Sequence, residues 1–189
     1  MRKVILFMHI SLDGFVGGPN GEMDSFTMDF EIGKILIAEL LSTVDTMLLG
    51  RSLYKGFETY WQAAAENPAT PKDLADFAHW IVDSPKIVFS QTLEKVEWKN
   101  SRLVKGNAGE EIMKLKQQPG GDMVVFGGAG FASSLVSLGL IDEYRLKLEP
   151  VILGKGKPLF KDNDQKIKLK LTNSRTFKSG VVVLYYQPI

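Results

Sequence analysis

The sequence predicts an α/β protein with three layers, in which helices cover both faces of a mostly parallel central sheet. Apolar runs of strand length alternate with helical patterns up to Leu140, and this alternation is typical of parallel sheets. After Leu140 strand patterns follow one another, which predicts antiparallel strands at the C-terminal end. The length of 189 residues fits one domain of about 100–200 residues, so we expect residues 1–189 to form a single domain.

The strands are predicted from two kinds of pattern. Continuous apolar runs are typical of strands buried on both faces, and they occur at Val4–Ile10, Thr46–Leu49, Lys86–Phe89 and Met123–Phe126. Asp142–Glu149 alternates instead between apolar and charged residues, which predicts a half-exposed strand. Two further strands, Lys168–Ser174 and Val181–Tyr186, flank a predicted turn at residues 178–180.

The helices are predicted from apolar residues at helical spacing and from helix start signals. Thr70 is a candidate N-cap, Pro71 fits the first helical position, and Asp73 can complete a capping box. A helix start is also expected where the strand at residues 46–49 runs into Arg51. The remaining predicted helices are Phe30–Ser42, Glu110–Gln117 and Gly130–Leu138.

Composition and charge exclude several classes of function. Lysine and arginine number 23 against 22 acidic residues, so there is no basic field for nucleic acid. Without cysteine, and with only His9 and His79, a Cys-ligated or His-rich metal centre is not expected. No apolar stretch approaches the ~18 residues of a membrane span. The apolar N-terminal run is broken at His9 and lacks a small-residue cleavage site, so we expect a cytoplasmic protein.

Two predicted strands run directly into glycine-containing helix starts. Gly127, Gly128, Ala129, Gly130 and Phe131 form one of them; its glycines allow a sharp turn and its helix start favours an anion. From spacing alone, a tight strand-to-helix turn explains this segment equally well. Gly50-Arg51-Ser52 forms the other, where Arg51 adds a permanent cation unless it is merely a solvated surface residue.

Two further segments follow predicted strands. Ser90 and Gln91 end a buried strand, at the edge where open α/β sheets bind ligands, although turn chemistry also accounts for them. The loop after the first strand contains Asp13, Gly14 and Gly17, and its glycine content suits a lid over a site or a plain surface loop.

These segments occur in an order that resembles the dihydrofolate-reductase-like superfamily. The resemblance is closest to the C-terminal reductase domain of riboflavin-biosynthesis proteins and its stand-alone relatives. It covers residues 3–186 and rests on the ordered motifs Ser11-Leu12-Asp13-Gly14, Gly50-Arg51-x-x-Tyr54, the strand ending in Ser90, Gly127-Gly128, and Glu149-Pro150-Val151-Ile152-Leu153-Gly154.

The resemblance implies a reductase that transfers a hydride from NADPH to a small heterocyclic substrate. It puts Arg51 and Ser52, with Gly50, near the adenosine phosphates, and Ser90 with Gln91 near the 2′-phosphate. It puts residues 127–131 along the diphosphate, and Asp13, Gly14 and Gly17 in a loop over the nicotinamide. The implied substrate is 5-amino-6-(5-phosphoribosylamino)uracil; a dihydropterin and a non-catalytic nucleotide-binding module are the alternatives, with a structural interaction protein as a third.

The catalytic proton has three candidate sources under this resemblance: Asp29, His9 and water. Asp29, or Glu31 after it, can equally be an exposed carboxylate in a first helical turn, and His9 can be a core histidine. Relatives carry threonine where Leu53 stands, so a phosphate-binding hydroxyl is missing. Lys155 and Lys157 are candidates for a substrate phosphate or are solvated loop residues.

The resemblance also implies a homodimer. Tyr144, Leu146 and Leu148 lie on one face of a predicted end strand. They are expected to form either the contact between subunits or part of the core.

Overall fold

The computed structural model describes residues 1–27, 30–161 and 166–189. In these ranges it contains the strands β1 (Val4–Ser11), β2 (Val44–Gly50), β3 (Lys86–Phe89), β4 (Ser101–Val104), β5 (Asp122–Val125), β6 (Glu143–Glu149), β7 (Leu169–Thr176) and β8 (Val182–Pro188). The helices there are α1 (Phe30–Leu41), α2 (Arg51–Glu66), α3 (Lys72–Asp83), α4 (Ala108–Lys116) and α5 (Ala129–Ser137). None of these helices is long and apolar enough to cross a membrane.

The strands form one sheet in the order β4-β3-β2-β5-β1-β6-β8-β7. Pairing is parallel from β4 through to β6, and antiparallel where β8 joins β6 and β7. This confirms the predicted mostly parallel sheet with antiparallel C-terminal strands. Because β2, β5, β1 and β6 are parallel neighbours, their carboxyl ends meet at one edge of the sheet.

Helices cover both faces of the sheet, as the sequence predicted. On one face, α4 and α5 pack against β1 and β5 through side chains such as Ile112 and Leu135, both fully buried. On the other face, α2 and α3 pack through Trp61 and Ile81, and α1 packs through Leu36 against β8. Three apolar clusters therefore fix the central strands, whose ends carry the candidate site.

The prediction that residues 142–149 form a half-exposed end strand is wrong. Strand β6 lies between β1 and β8, and Tyr144 and Leu146 are core residues. Its charged face is buried as well, with Glu143, Lys147 and Glu149 all less than a tenth exposed. Tyr144 and Leu146 of the apolar stripe therefore belong to the core, and Leu148 is partly buried against it. The homodimer itself stays a prediction.

Other differences are local. Pro71 occupies the cap position of α3, which has no side-chain cap hydrogen bond within the described residues, so the predicted Thr70 cap is wrong. Asp73 does not complete a capping box; it accepts a hydrogen bond from Lys34 Nζ at 2.9 Å. Strand β4 was not predicted, because this four-residue edge strand carries no apolar run.

Candidate functional site

Two helices begin at glycines where neighbouring parallel strands end. Gly50 is the N-cap of α2 after β2, and Gly128 is the N-cap of α5 after β5. In the described structure neither helix has a side-chain cap or an acidic residue in its first turn. By contrast, the Asn107 side chain caps α4 by accepting hydrogen bonds from two backbone N–H groups. The first turns of α2 and α5 thus offer N–H donors and a positive dipole end to an anion.

The two helix starts contact each other. Gly128 has φ +78°, which favours glycine, and a Cβ there would lie 3.7 Å from both Leu53 Cβ and Ser52 Oγ. A Cβ on Gly50 would lie only 2.7 Å from Phe131 Cβ, so this glycine permits the close approach of α5. The sequence predicted both segments, and the structure brings them together into one surface.

The remaining residues of the β5–α5 turn complete this surface. Gly127 has φ +155°, and a Cβ there would lie 3.7 Å from Leu53 Cδ2. Ala129 and Gly130 form the start of the first turn of α5, and apart from neighbouring residues and the local helix backbone, no described atom lies within 4 Å of the position a Gly130 Cβ would take. The Leu53 side chain therefore lies against the glycine turn at residues 127 and 128.

Arg51 links the α2 start to the loop after β3. Its Nη1 donates to Thr92 Oγ1 at 2.8 Å on the exposed surface. Ser90 Oγ accepts hydrogen bonds from the backbone N–H groups two and three residues further on, at 3.2 and 3.0 Å. Gln91 Nε2 donates to a backbone carbonyl before α4 at 3.4 Å. Thr92 was not predicted as a site residue, although it continues the polar run that begins at Ser90.

Asp13 connects the loop after β1 to the loop after β6 through hydrogen bonds. Its carboxylate accepts hydrogen bonds from Ser11 Oγ at 2.7 Å, Leu153 N at 3.1 Å and Gly154 N at 2.7 Å. The Ser11 hydroxyl and then these backbone donors hold the pKa of Asp13 below its usual value. Its carboxylate is therefore a charged hydrogen-bond acceptor that organises the loop. Contact with a cofactor stays a prediction.

The same two loops are paired along their backbones. Val16 N donates to Lys157 O at 2.9 Å, Lys157 N donates to Gly17 O at 3.0 Å, and Leu159 N donates to Gly14 O at 3.1 Å. Gly14 has φ +87°, which suits glycine at this turn. The loop that the sequence interpreted as either a lid or a plain surface loop is thus hydrogen-bonded to a second loop. The paired loops leave Lys155 and Lys157 exposed.

His9 belongs to a polar network between β1, β6 and the segment before α1. Its Nδ1 lies 2.8 Å from Glu149 Oε1, and its ring stacks on Phe26 with centroids 5.9 Å apart. Thr27 N donates to Glu149 Oε2 at 3.0 Å, and Lys147 Nζ lies 3.2 Å from Glu149 Oε1. Lys147 Nζ also donates to Thr27 O at 2.7 Å.

This network keeps a negative charge inside the protein. Burial raises the pKa of Glu149, but the hydrogen bonds from His9 and Thr27 and the Lys147 charge outweigh it and leave that pKa lowered. The Glu149 side chain is fully buried, while that of His9 is 23% exposed. His9 is therefore not an enclosed core histidine.

The sequence identified His9 but missed its partners. From the sequence, Glu149 was noted only as part of the family motif, and Lys147 was only one of the charged residues on an alternating strand. The pairing of His9 with Lys147 depends on the β1–β6 register, which the sequence does not state. Asp29 lies outside the described residues, and its predicted role stays a prediction; Glu31 falls within α1.

Comparison with known proteins identifies the family. The sequence model of the RibD C-terminal domain matches residues 2–183. The chain belongs to the RibD C-terminal domain family. It is 41% identical to the Bacillus subtilis protein YyaP, described as uncharacterized, over 98% of this chain and 94% of that protein. The Bacillus subtilis protein YwjB is 28% identical over 97% of each chain.

Solved structures show the same fold. A Shewanella protein named for riboflavin biosynthesis superposes with a TM-score of 0.75 at 21% identity, covering 100% and 99% of the two chains. A Thermotoga maritima deaminase/5-amino-6-(5-phosphoribosylamino)uracil reductase superposes with 0.66 at 17% identity, and this chain covers 57% of it. Dihydrofolate reductase from Enterococcus faecalis, complexed with NADP(H), superposes with 0.62 at 13% identity over 98% and 96% of the chains. The fold is therefore dihydrofolate-reductase-like.

Proposed function

We propose that this protein is an NADPH-dependent reductase that transfers a hydride to a small heterocyclic substrate. The observation that carries the proposal is the contact between two uncapped, glycine-started helices, α2 and α5, at the carboxyl ends of β2 and β5. Membership of the RibD C-terminal domain family supports the same reaction class. The fold alone would not, because one fold hosts many functions.

The residues around the two helix starts fit the phosphates of a dinucleotide. Residues 127–131, with Gly50 and Ser52, would hold the diphosphate through backbone N–H groups and the Ser52 hydroxyl, since Leu53 offers none. Arg51 would pair with the 2′-phosphate. Ser90 Oγ accepts two hydrogen bonds and keeps its own hydrogen to donate, and Gln91 lies beside it.

The paired loops would cover the reactive end of the cofactor. Gly14 and Gly17 form the turns of this cover, and Asp13 holds it in place through the loop amides of residues 153 and 154. When bound, NADPH supplies the hydride. The protein then has to hold the acceptor carbon about 3–3.5 Å from the donor and exclude water.

The substrate class we propose first is 5-amino-6-(5-phosphoribosylamino)uracil. The activity in the name of the Thermotoga maritima protein supports it. A dihydropterin is the second candidate, and the superposition on dihydrofolate reductase supports that choice. Lys155 and Lys157 are exposed at the paired loops, so either could meet a ribose phosphate. We further propose that the protein acts as a homodimer, on the family resemblance alone.

Titration calorimetry with NADPH, followed by NADPH oxidation assays on both substrates, tests this function. We expect NADPH to bind and one of the two substrates to be reduced. Binding without turnover on pyrimidines and pterins would instead favour a non-catalytic nucleotide-binding module. Absence of heat, together with an unchanged melting temperature at saturating NADPH, would contradict nucleotide binding, because a ligand of the native state must stabilise it.

A further inference from the structure

The carboxylate of Glu149 is a buried negative charge at the end of β6. It is fully buried, on the face of β6 that packs beneath the segment before α1. Burying a carboxylate is costly unless other groups pair with it. Three donors meet this one: His9 Nδ1, Thr27 N and Lys147 Nζ. Only His9 among them is an imidazole, whose second ring nitrogen can still exchange a proton.

The contact with Glu149 fixes how the His9 ring carries its proton. A charged carboxylate only accepts hydrogen bonds, so Nδ1 must be the protonated nitrogen of the neutral ring. Phe26 lies parallel to the ring, at an interplanar angle of 12°, and holds its plane. Among the residues that the structure describes, none forms a hydrogen bond with Nε2. The ring is 23% exposed, so solvent or a ligand can reach it.

The other charged groups here are poorer proton donors. Lys147 faces His9 across the β1–β6 register, but its Nζ is buried and engaged by Glu149 and by Thr27 O. The carboxylate of Asp13, on the paired loops, already accepts hydrogen bonds from two backbone amides, and the pKa of Asp13 is lowered. Glu149 itself has no exposed surface. Of these four groups, His9 is therefore the best placed to exchange a proton with a bound molecule.

We propose that His9 donates from Nε2 the proton that accompanies hydride transfer, and that Glu149 is its positioning residue. This inference rests on the proposed function. The hydride supplied by the reduced nicotinamide forms a C–H bond at the acceptor carbon, and the C=N or C=O electron pair moves to the nitrogen or oxygen. That atom takes the Nε2 proton. The hydride would bring the substrate two electrons, and His9 would pass from the imidazolium, protonated on both nitrogens, to the neutral imidazole. The neutral ring would keep Nδ1–H on Glu149 until solvent reprotonates Nε2.

The tautomer of His9 tests the geometry without any substrate. The chain contains only His9 and His79, so a long-range imidazole ¹H–¹⁵N spectrum has two rings, which His79→Gln assigns. We expect the neutral His9 ring to carry its proton on Nδ1. In Glu149→Gln the His9 titration midpoint should move to lower pH, while the exposed His79 ring should not respond. An Nε2-protonated neutral ring in the wild type, or an unmoved midpoint in the variant, would overturn the proposal.

Kinetics separates this inference from the proposed function. We expect His9→Gln to lower kcat by at least about 100-fold, the scale of general acid catalysis, with NADPH affinity unchanged. Glu149→Gln should move the alkaline limb of the kcat–pH profile to lower pH, which a purely structural role would not do. His79→Gln should match the wild type.

The outcomes fall into two groups. If the wild type reduces substrate and His9→Gln does so at the same rate, the inference is wrong and the proposed function stands. If the wild type binds no NADPH, the proposed function fails and the inference falls with it. If His9→Gln fails to fold, the tautomer of the wild-type His9 ring and the kcat–pH profile of Glu149→Gln still test the inference.

Discussion

Gly128→Ala separates a structural role of the β5–α5 turn from a role in binding. Gly128 has φ +78°, and an alanine in this left-handed conformation costs about 1–2 kcal/mol. Its Cβ would meet its neighbours at 3.7 Å or more, which is ordinary contact, so no clash adds to that cost. For a chain of 189 residues the loss corresponds to a fall of roughly 2–8 °C in Tm.

The same methyl group would stand in the space that we assign to the cofactor phosphates. We therefore expect NADPH affinity, measured by titration calorimetry, to fall by at least about tenfold, which corresponds to 1.4 kcal/mol. The variant should remain folded, because its strain is small beside the ~5–15 kcal/mol stability of a typical domain.

Gly139→Ala is the matched control at the other end of α5. Gly139 has φ +66°, and apart from its two chain neighbours no described residue has an atom within 4 Å of where its Cβ would be. The control should lose a similar part of its thermal stability and keep its NADPH affinity. Equal NADPH affinity in the two variants, at comparable Tm, would refute the assignment of the glycine turn to the cofactor.

Three further variants test other parts of the structure. Arg51→Ala should weaken NADPH more than NADH in competition titrations; an equal loss for both would mean that Arg51 does not read the 2′-phosphate. Lys86 Nζ donates to three backbone carbonyls and lies 4.3 Å from the Trp98 ring centroid, so Lys86→Met should cost about 2–4 kcal/mol in urea unfolding. Lys95→Met, at an exposed position, is its control. A similar small loss of unfolding free energy in both variants would contradict a stabilising role for the three carbonyl contacts of Lys86. Burial raises the pKa of Tyr144 to about 12 from 10.0, so the stability it gives below pH 10 is lost as the pH rises towards 12. Between pH 9 and pH 12, Tyr144→Phe should lose roughly 2–3 kcal/mol less free energy of unfolding than the wild type. Equal losses in the two proteins would contradict this.

Local patterns were enough to predict most of the fold. The apolar run at Val4–Ile10 and the run before Gly127 predicted central strands, and the change of pattern after Leu140 predicted the antiparallel end. The error at β6 has a physical cause. An alternating strand is half-exposed only when one face meets water, and here β1 and the segment around Thr27 supply partners that bury the charges of Lys147 and Glu149.

The candidate site was predicted unevenly for the same reason. Glycines at Gly50 and Gly128 can be found from sequence because strand, turn and helix follow one another along the chain. The contact of Arg51 with Thr92 and that of His9 with Glu149 join residues 41 and 140 positions apart. Such contacts depend on strand order and register, which local patterns do not contain.

A crystal structure of the protein with NADPH bound tests the central claim most directly. The account predicts that the diphosphate lies against the backbone N–H groups at the starts of α2 and α5, with Arg51 at the 2′-phosphate and the nicotinamide beneath the paired loops. Electron density for the nucleotide at any other surface, with these helix starts left to solvent, would contradict it.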